Sequence, residues 1–246
     1  MKREEVIKAT EAYQSCYPLA YACLRMLQAK RLEAWAPLRT EVVVRNVEKC
    51  AKTFFADAQK KLRTKTGQRY RRFLGGLTCQ GFYFLDKTPT VLCKSGYVLQ
   101  GENGLAPLLL ENLENGFLAA GYTVVSCPDP IQPKLLAHLL VPELELAFVT
   151  GAVTSGLGYQ TIHTESLAEK NVWQENRAKL REMLHLAEKE QQKAIDYLKE
   201  AKACHDTLEE LYHPYVDFQY TDQVTENVLE EILALPDQPL ATSFFL

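Results

Sequence analysis

Residues 97–110 read Tyr97-Val98-Leu99-Gln100-Gly101-Glu102-Asn103-Gly104-Leu105-Ala106-Pro107-Leu108-Leu109-Leu110. An apolar run, a glycine turn and a second apolar run predict a strand, a loop and a helix in that order. We predict the strand over 96–99 and the helix over 107–120, with Pro107 at the first helical position and Gly121 as its cap. Strand, loop and helix in this order are typical of the start of a parallel α/β sheet.

Further short elements surround this unit on both sides. Apolar runs over 123–126 and 146–149 predict two more buried strands. We expect a helix over 134–140 between them, and an edge strand at Phe82-Tyr83-Phe84 after a glycine-rich segment. The middle of the chain is therefore predicted to be α/β, whereas both flanking parts are predicted to be helical.

The C-terminal part holds the clearest helical periodicity. Ten positions alternate by four and three residues: Leu180, Leu184, Ala187, Gln191, Ala194, Leu198, Ala201, His205, Leu208 and Tyr212. This heptad pattern is typical of a helix that packs along another helix. We predict one helix over 166–212, ended by Pro214 and paired with the N-terminal helix, and a short final helix over 225–235.

The glycine turn has no phosphate-binding lysine. A P-loop reads GxxxxGK[ST], because glycine amides cradle the phosphates, the lysine reaches them and the hydroxyl holds magnesium. The nearest lysines here are Lys94 and Lys134. The strand over 146–149 is followed by Thr150, where a nucleotide-hydrolysing enzyme would need a carboxylate to organise magnesium. The missing lysine and the threonine in place of a carboxylate together predict a protein that keeps the architecture of a P-loop protein and does not hydrolyse nucleotides.

Two interpretations of the turn stay open at this point. The backbone amides and the helix dipole could hold a phosphate or sulfate weakly without a lysine, although Glu102 places a negative charge in the turn. Alternatively, the segment is a plain structural turn. The candidate phosphate-binding residues are Gly101, Glu102, Asn103, Gly104, Leu105, Ala106 and Pro107.

Five segments share a pattern with a known family. They are Arg72-Phe73-Leu74-Gly75-Gly76-Leu77-Thr78-Cys79-Gln80-Gly81, Gly121-Tyr122-Thr123-Val124, Val141-Pro142-Glu143-Leu144-Glu145-Leu146-Ala147-Phe148, Ala201-Lys202-Ala203-Cys204-His205-Asp206-Thr207-Leu208-Glu209-Glu210-Leu211-Tyr212 and Val216-Asp217-Phe218. With them, the chain resembles a bacterial family of poorly characterised P-loop ATPases whose chains carry two tandem P-loop domains. The resemblance covers about residues 70–232.

The resemblance implies a P-loop NTPase-like fold: a small parallel sheet flanked by helices, with a long helical hairpin or arm formed by the N- and C-terminal segments. It assigns phosphate binding to Gly101 and Gly104, the lysine and hydroxyl to positions 106–108, and the acidic strand end to Thr150. The glycines match and the reactive positions differ. We interpret 1–62 as the helical remnant of a first domain, 63–164 as a degenerate P-loop core, and 165–246 as a long helix, a short helix and a tail.

Three functions remain as hypotheses. The first is a P-loop-like protein without hydrolytic activity, for which ATP or another nucleotide is the candidate ligand. The second is an interaction protein whose helical arm binds a second copy or another protein. The third is an ATPase or nucleotide kinase that uses Arg71, Arg72 or Lys134 in place of the missing lysine.

Composition narrows the partners and the compartment. The net charge is -3, and seven positive charges are concentrated in the run 60–72. We expect this run to be a solvated linker rather than a nucleic-acid contact, with Arg71 and Arg72 as candidate anion contacts. Seven scattered cysteines without zinc spacing, and the absence of an apolar run of about 18 residues, predict a cytoplasmic protein without a metal site or membrane contact.

Overall fold

The computed structural model describes residues 3–60, 66–151 and 158–235, without the side chains of 57–60. The helices are α1 Arg3–Trp35, α2 Glu41–Lys60, α3 Lys87–Leu92, α4 Leu105–Ala119, α5 Lys170–Tyr212 and α6 Phe218–Leu233. The strands are β1 Arg69–Arg71, β2 Gly75–Thr78, β3 Gly81–Phe84, β4 Ser95–Gln100, β5 Val124–Pro128, β6 Leu136–Val141, β7 Leu146–Thr150 and β8 Gln160–His163. The predicted tail over 236–246 lies outside the described residues.

Six strands form one sheet in the order β1-β5-β6-β7-β4-β8. The β1–β5, β4–β7 and β4–β8 pairs are parallel, and β6 is antiparallel to both of its neighbours. The carboxyl ends of β1, β4, β5, β7 and β8 therefore lie along one edge. The prediction of an α/β fold with a mostly parallel sheet is confirmed, and so are the strands predicted over 96–99, 123–126 and 146–149.

The helix predicted over 134–140 is wrong, because this segment forms β6. Apart from His138, residues 135–140 are apolar, and so short an apolar run does not distinguish a buried helix from a buried strand. Hydrogen bonding to two neighbours decides the outcome: Leu140 pairs with Val125 of β5 on one side and Ala147 of β7 on the other.

The two faces of the sheet are covered by different elements. On one face, α4 packs against the strands and α2 packs over α4, with Val47 and Phe117 fully buried in this cluster. On the other face, the β2–β3 hairpin and the end of α3 cover Val125, Cys127 and Ala147. Successive residues of β5 thus point into different cores, since side chains alternate along a strand. Phe82-Tyr83-Phe84 belongs to this separate hairpin.

Helices α1 and α5 form the predicted hairpin. Five of the ten heptad positions are buried, and the other five are half-buried. Contacts along the pair run in opposite directions: Tyr13 meets His205 near one end, Leu27 clusters with Ala187, and Ala34 clusters with Leu180. The heptad seam of α5 is therefore filled by α1, and this pairing is antiparallel.

The C-terminal helices α5 and α6 both start at positions that differ from the prediction. Helix α5 begins at Lys170, because the preceding residues Thr164–Leu167 form a 3-10 turn. Helix α6 begins at Phe218 rather than at 225, since the Asp217 carboxylate accepts a hydrogen bond from the Tyr220 N–H at 3.0 Å and caps the first turn.

Among the helices of the described ranges, none combines the length and the apolar character that crossing a bilayer would need.

Candidate functional site

The turn between β4 and α4 lies at the carboxyl edge of the sheet, where ligands bind in open α/β sheets. Helix α4 begins at Leu105. Pro107 is therefore its third residue, whereas the prediction placed it first. The Asn103 side chain explains the earlier start: its Oδ1 accepts the Leu105 N–H at 3.2 Å. The Thr164 hydroxyl holds the same Oδ1 at 2.9 Å, and both side chains are fully buried.

This geometry leaves few backbone donors for an anion. The first amides of a helix are the groups that bind phosphate. Here the Leu105 N–H is bonded to Asn103, and Pro107 has no N–H. Positions 106–108, to which the resemblance assigns the lysine and hydroxyl of a P-loop, hold Ala106, Pro107 and Leu108. None of these three side chains can donate a hydrogen bond.

The outer face of the turn is covered by Trp35, from the end of α1. The indole Nε1 donates a hydrogen bond to the Glu102 carbonyl oxygen at 2.8 Å. The ring packs on Gly104, so closely that a Cβ at this position would lie 2.9 Å from Trp35 Cβ and nearer still to the ring. Only 8% of Trp35 is exposed. The indole thus fills the space beside Gly104.

A cavity of about 220 Å³ separates the turn from the helical hairpin. Glu102 and Thr150 line it from the sheet, Arg31 and Glu188 line it from the hairpin, and Asp129 closes one side. Arg31 Nη1 lies 3.5 Å from Asp129 Oδ2. Among the described lining residues, three carboxylates thus accompany one guanidinium that is already paired. This charge balance opposes a polyphosphate.

Thr150 lies where the spacing predicts it, beside the turn. It is paired in register with Leu99 of β4, and its side chain lines the same cavity. Its N–H donates to His138 Nδ1 at 3.1 Å. The strand end therefore places Thr150 at the cavity, and a neutral histidine holds its backbone N–H.

His138 makes the stability of this region depend on pH. Burial lowers the pKa of His138 from 6.5 to about 4. The unfolded chain binds the proton on His138 more readily than the folded chain does. The contribution of neutral His138 to the free energy of unfolding is therefore complete above pH 6.5 and is lost as the pH falls towards 4. With about 1.4 kcal/mol for each pKa unit, we expect a loss of about 3 kcal/mol. Urea unfolding at a series of pH values measures it.

The matched control for this prediction is His138→Asn. The amide oxygen can still accept the Thr150 N–H, but the side chain does not titrate. We expect the free energy of unfolding of this variant to fall less steeply between pH 6.5 and 4 than that of the unchanged protein. Equal slopes in the two proteins would contradict the assignment to His138.

A second, basic cavity lies on the other side of Pro107. Its volume is about 160 Å³, and its lining includes Arg69, Arg71 and Lys134. The Arg71 Nη2 donates to the Pro133 carbonyl oxygen at 2.9 Å. Of the two arginines predicted as anion contacts, the structure brings Arg71 to this cavity. Arg72 instead donates to the Arg71 carbonyl oxygen at 2.8 Å and is not among the residues that line it.

The buried partner of this basic group was missed by the sequence analysis. Glu114 of α4 is buried, and its Oε1 lies 2.9 Å from Arg69 Nε. The same oxygen accepts a hydrogen bond from the Ser126 hydroxyl. The sequence does contain an indication that Glu114 is buried, since it follows Leu110 by four residues and so lies on the apolar face of the predicted helix. One of the three cations is therefore neutralised.

His205 is one of the ten heptad positions of α5, and the structure places it on the seam with α1. Its ring meets Tyr13 edge-on at 5.4 Å. Ligand atoms of His205, Asp206 and Glu209 lie within 4.8 Å of one another. However, both Asp206 oxygens accept hydrogen bonds from Lys202 Nζ, at 2.8 and 2.7 Å, so an ammonium already takes the place of a cation. We assign no metal there.

The cysteines add no reactive group to either cavity. All seven are free. Burial raises the pKa of Cys93 and of Cys127 to about 12, so both thiols are protonated at neutral pH.

Fold and site together define an α/β protein with a six-stranded, mostly parallel sheet, whose helical hairpin closes over the carboxyl edge. Comparisons of the chain with protein-family models, with curated proteins and with solved structures gave no match.

Proposed function

We propose that this chain is a P-loop-like protein that does not hydrolyse nucleotides and works as an interaction protein. In this proposal, the glycine turn anchors the α1–α5 hairpin to the sheet. The contact of Trp35 with Gly104 and with the Glu102 carbonyl oxygen carries it. In this proposal the indole takes one side of the turn, and a phosphate on that side would have to displace it.

The charges and donors at the turn support the same proposal. A charge-assisted hydrogen bond is worth about 1.5–3 kcal/mol, and a P-loop lysine and hydroxyl would supply several of them. Positions 106–108 offer no such donor, and Glu102, Asp129 and Glu188 would repel a triphosphate. The residues present therefore do not fit Mg–ATP, and we derive no catalytic step for it.

An interaction role needs a surface other than the heptad seam. The seam is filled by α1, so a dimer formed through it would first have to open the hairpin. The C-terminal helix α6 offers such a surface, since it carries exposed large apolar side chains and none of its residues is buried.

A second candidate function is the binding of a small oxyanion in the basic cavity. Three cations line it, Arg69, Arg71 and Lys134, against the two carboxylates of Glu111 and Glu114. The net excess of one positive charge favours a small anion over a nucleotide.

Calorimetric titration with Mg–ATP, Mg–GTP and pyrophosphate separates these proposals. We expect no nucleotide binding with a dissociation constant below about 1 mM, or about -4 kcal/mol, and no phosphate release above that of buffer. Magnesium-dependent binding in the micromolar range would contradict the main proposal. Pyrophosphate binding that Arg71→Ala and Lys134→Ala both remove would support the second candidate, and binding unchanged in both variants would reject it.

A further inference from the structure

Helix α6 is exposed along its whole length. Every residue over 213–235 is exposed, including large apolar side chains such as Ile232 at 57% and Leu233 at 74%. A helix of 16 residues is close to the length below which isolated helices are marginal in water, roughly 12–15 residues. Its N-terminal cap at Asp217 contributes about 1 kcal/mol. Tertiary burial is the usual source of the remaining stability, and α6 has none among the described residues.

The apolar side chains of α6 form one face. Val224, Val228 and Ile232 follow one another at intervals of four residues, which places them in a line along the helix. Phe218 and Leu229 extend the same face. This spacing is the one that amphipathic helices use when they bind in a groove of another protein.

The charges beside this face decide which occupant fits. Residues 214–235 contain five carboxylates, Asp217, Asp222, Glu226, Glu230 and Glu231, and no lysine or arginine. A second copy of α6 would bring five more negative charges to the same contact, and like charges at such a distance are destabilising. An anionic lipid surface is disfavoured for the same reason.

We propose that α6 is a docking helix for a protein partner whose apolar groove is edged by lysine and arginine side chains. Apolar burial would supply the affinity, and the basic rim would select the partner and speed its association. This inference rests on the proposed interaction role. Its test involves no nucleotide, so a failure at α6 and a failure of the proposal for the glycine turn can be told apart.

The test uses the full chain and two synthetic amphipathic helical peptides with the same leucine face, one flanked by lysines and the other by glutamates. We expect the lysine peptide to bind at least about tenfold more tightly, a difference of about 1.4 kcal/mol. Its affinity should fall as salt is added. Hydrogen exchange should show new protection at residues 218–233 and not elsewhere.

Two substitutions in α6 supply the control. Val228→Asp places a charge in the apolar face, whereas Gln223→Glu adds a charge on the other side of the exposed helix, away from Val228 and Ile232. We expect the first to abolish binding of the lysine peptide and the second to preserve it, with unchanged circular dichroism in both.

Other outcomes would overturn the inference. They are equal binding of the two peptides, protection outside α6, dimerisation of the chain that Val228→Asp removes, or binding to phosphatidylglycerol vesicles through α6.

Discussion

Trp35→Ala is expected to lower the free energy of unfolding by about 3–5 kcal/mol, the range for removal of a large buried aromatic side chain. The indole packs with Ala34, Leu38 and Leu180, and it covers the glycine turn. Its removal leaves a cavity between the hairpin and the sheet, and the Glu102 carbonyl oxygen loses its donor. Urea unfolding gives the free energy, and hydrogen exchange should show faster exchange in the turn.

Two variants separate the contributions of the ring. Trp35→Phe keeps most of the packing and removes the N–H, so its cost should include about 1 kcal/mol for the hydrogen bond. Trp173→Ala truncates the other tryptophan, which is only half-buried beside the same cluster, and should cost less than Trp35→Ala. A loss below about 1 kcal/mol for Trp35→Ala would mean that the indole does not anchor the hairpin.

Gly104→Ala should be the second most damaging change, at about 2–5 kcal/mol. The backbone at Gly104 has φ +71, and a left-handed conformation costs a residue with a side chain about 1–2 kcal/mol. The new methyl group would also overlap the Trp35 ring, and such overpacking costs about 1–3 kcal/mol. Thermal or urea unfolding measures the sum.

The chain offers a matched control for this prediction. Gly158 has φ +69, and a Cβ there would meet nothing within 4 Å. Gly158→Ala should therefore show the cost of the backbone conformation alone. The difference between the two variants estimates the overlap with Trp35. If both substitutions cost the same, the close packing of Trp35 on the turn is not supported.

A double-mutant cycle connects the two predictions. When Trp35 is already alanine, the methyl group of Gly104→Ala no longer overlaps the ring, so the double variant should lose less than the sum of the single losses. Simple additivity would contradict direct contact. A confirmed coupling would support a turn whose present partner is the hairpin and not a phosphate.

Local patterns were sufficient for much of the fold. Strand β4, helix α4 and the long helix α5 follow from periods of two, three and four residues, which reflect contacts between near neighbours in sequence. A partner helix for α5 also follows, because its heptad seam requires an apolar surface to pack against. The closeness of Thr150 to the turn follows from the shared carboxyl edge of parallel strands.

The start of α4 was harder to predict. A proline is favoured at the first helical position, and this preference placed the start at Pro107. The Asn103 side chain instead caps the Leu105 N–H, and it is held there by Thr164, which lies 61 residues away in sequence. The cap therefore depends on a contact that helix preferences do not contain.

The periodicity of the sequence alone specifies an α/β core with a helical hairpin, and the side chains at positions 106–108 and 150 speak against a working P-loop. Tertiary contacts decide the rest. Leu140 lies in a strand because β5 and β7 offer it backbone partners on both sides. Trp35 covers a turn whose Glu102 is 67 residues away. The strand at Leu140 and the position of Trp35 both depend on contacts between segments that are distant in sequence. The local periodicity of a sequence contains no information about such contacts.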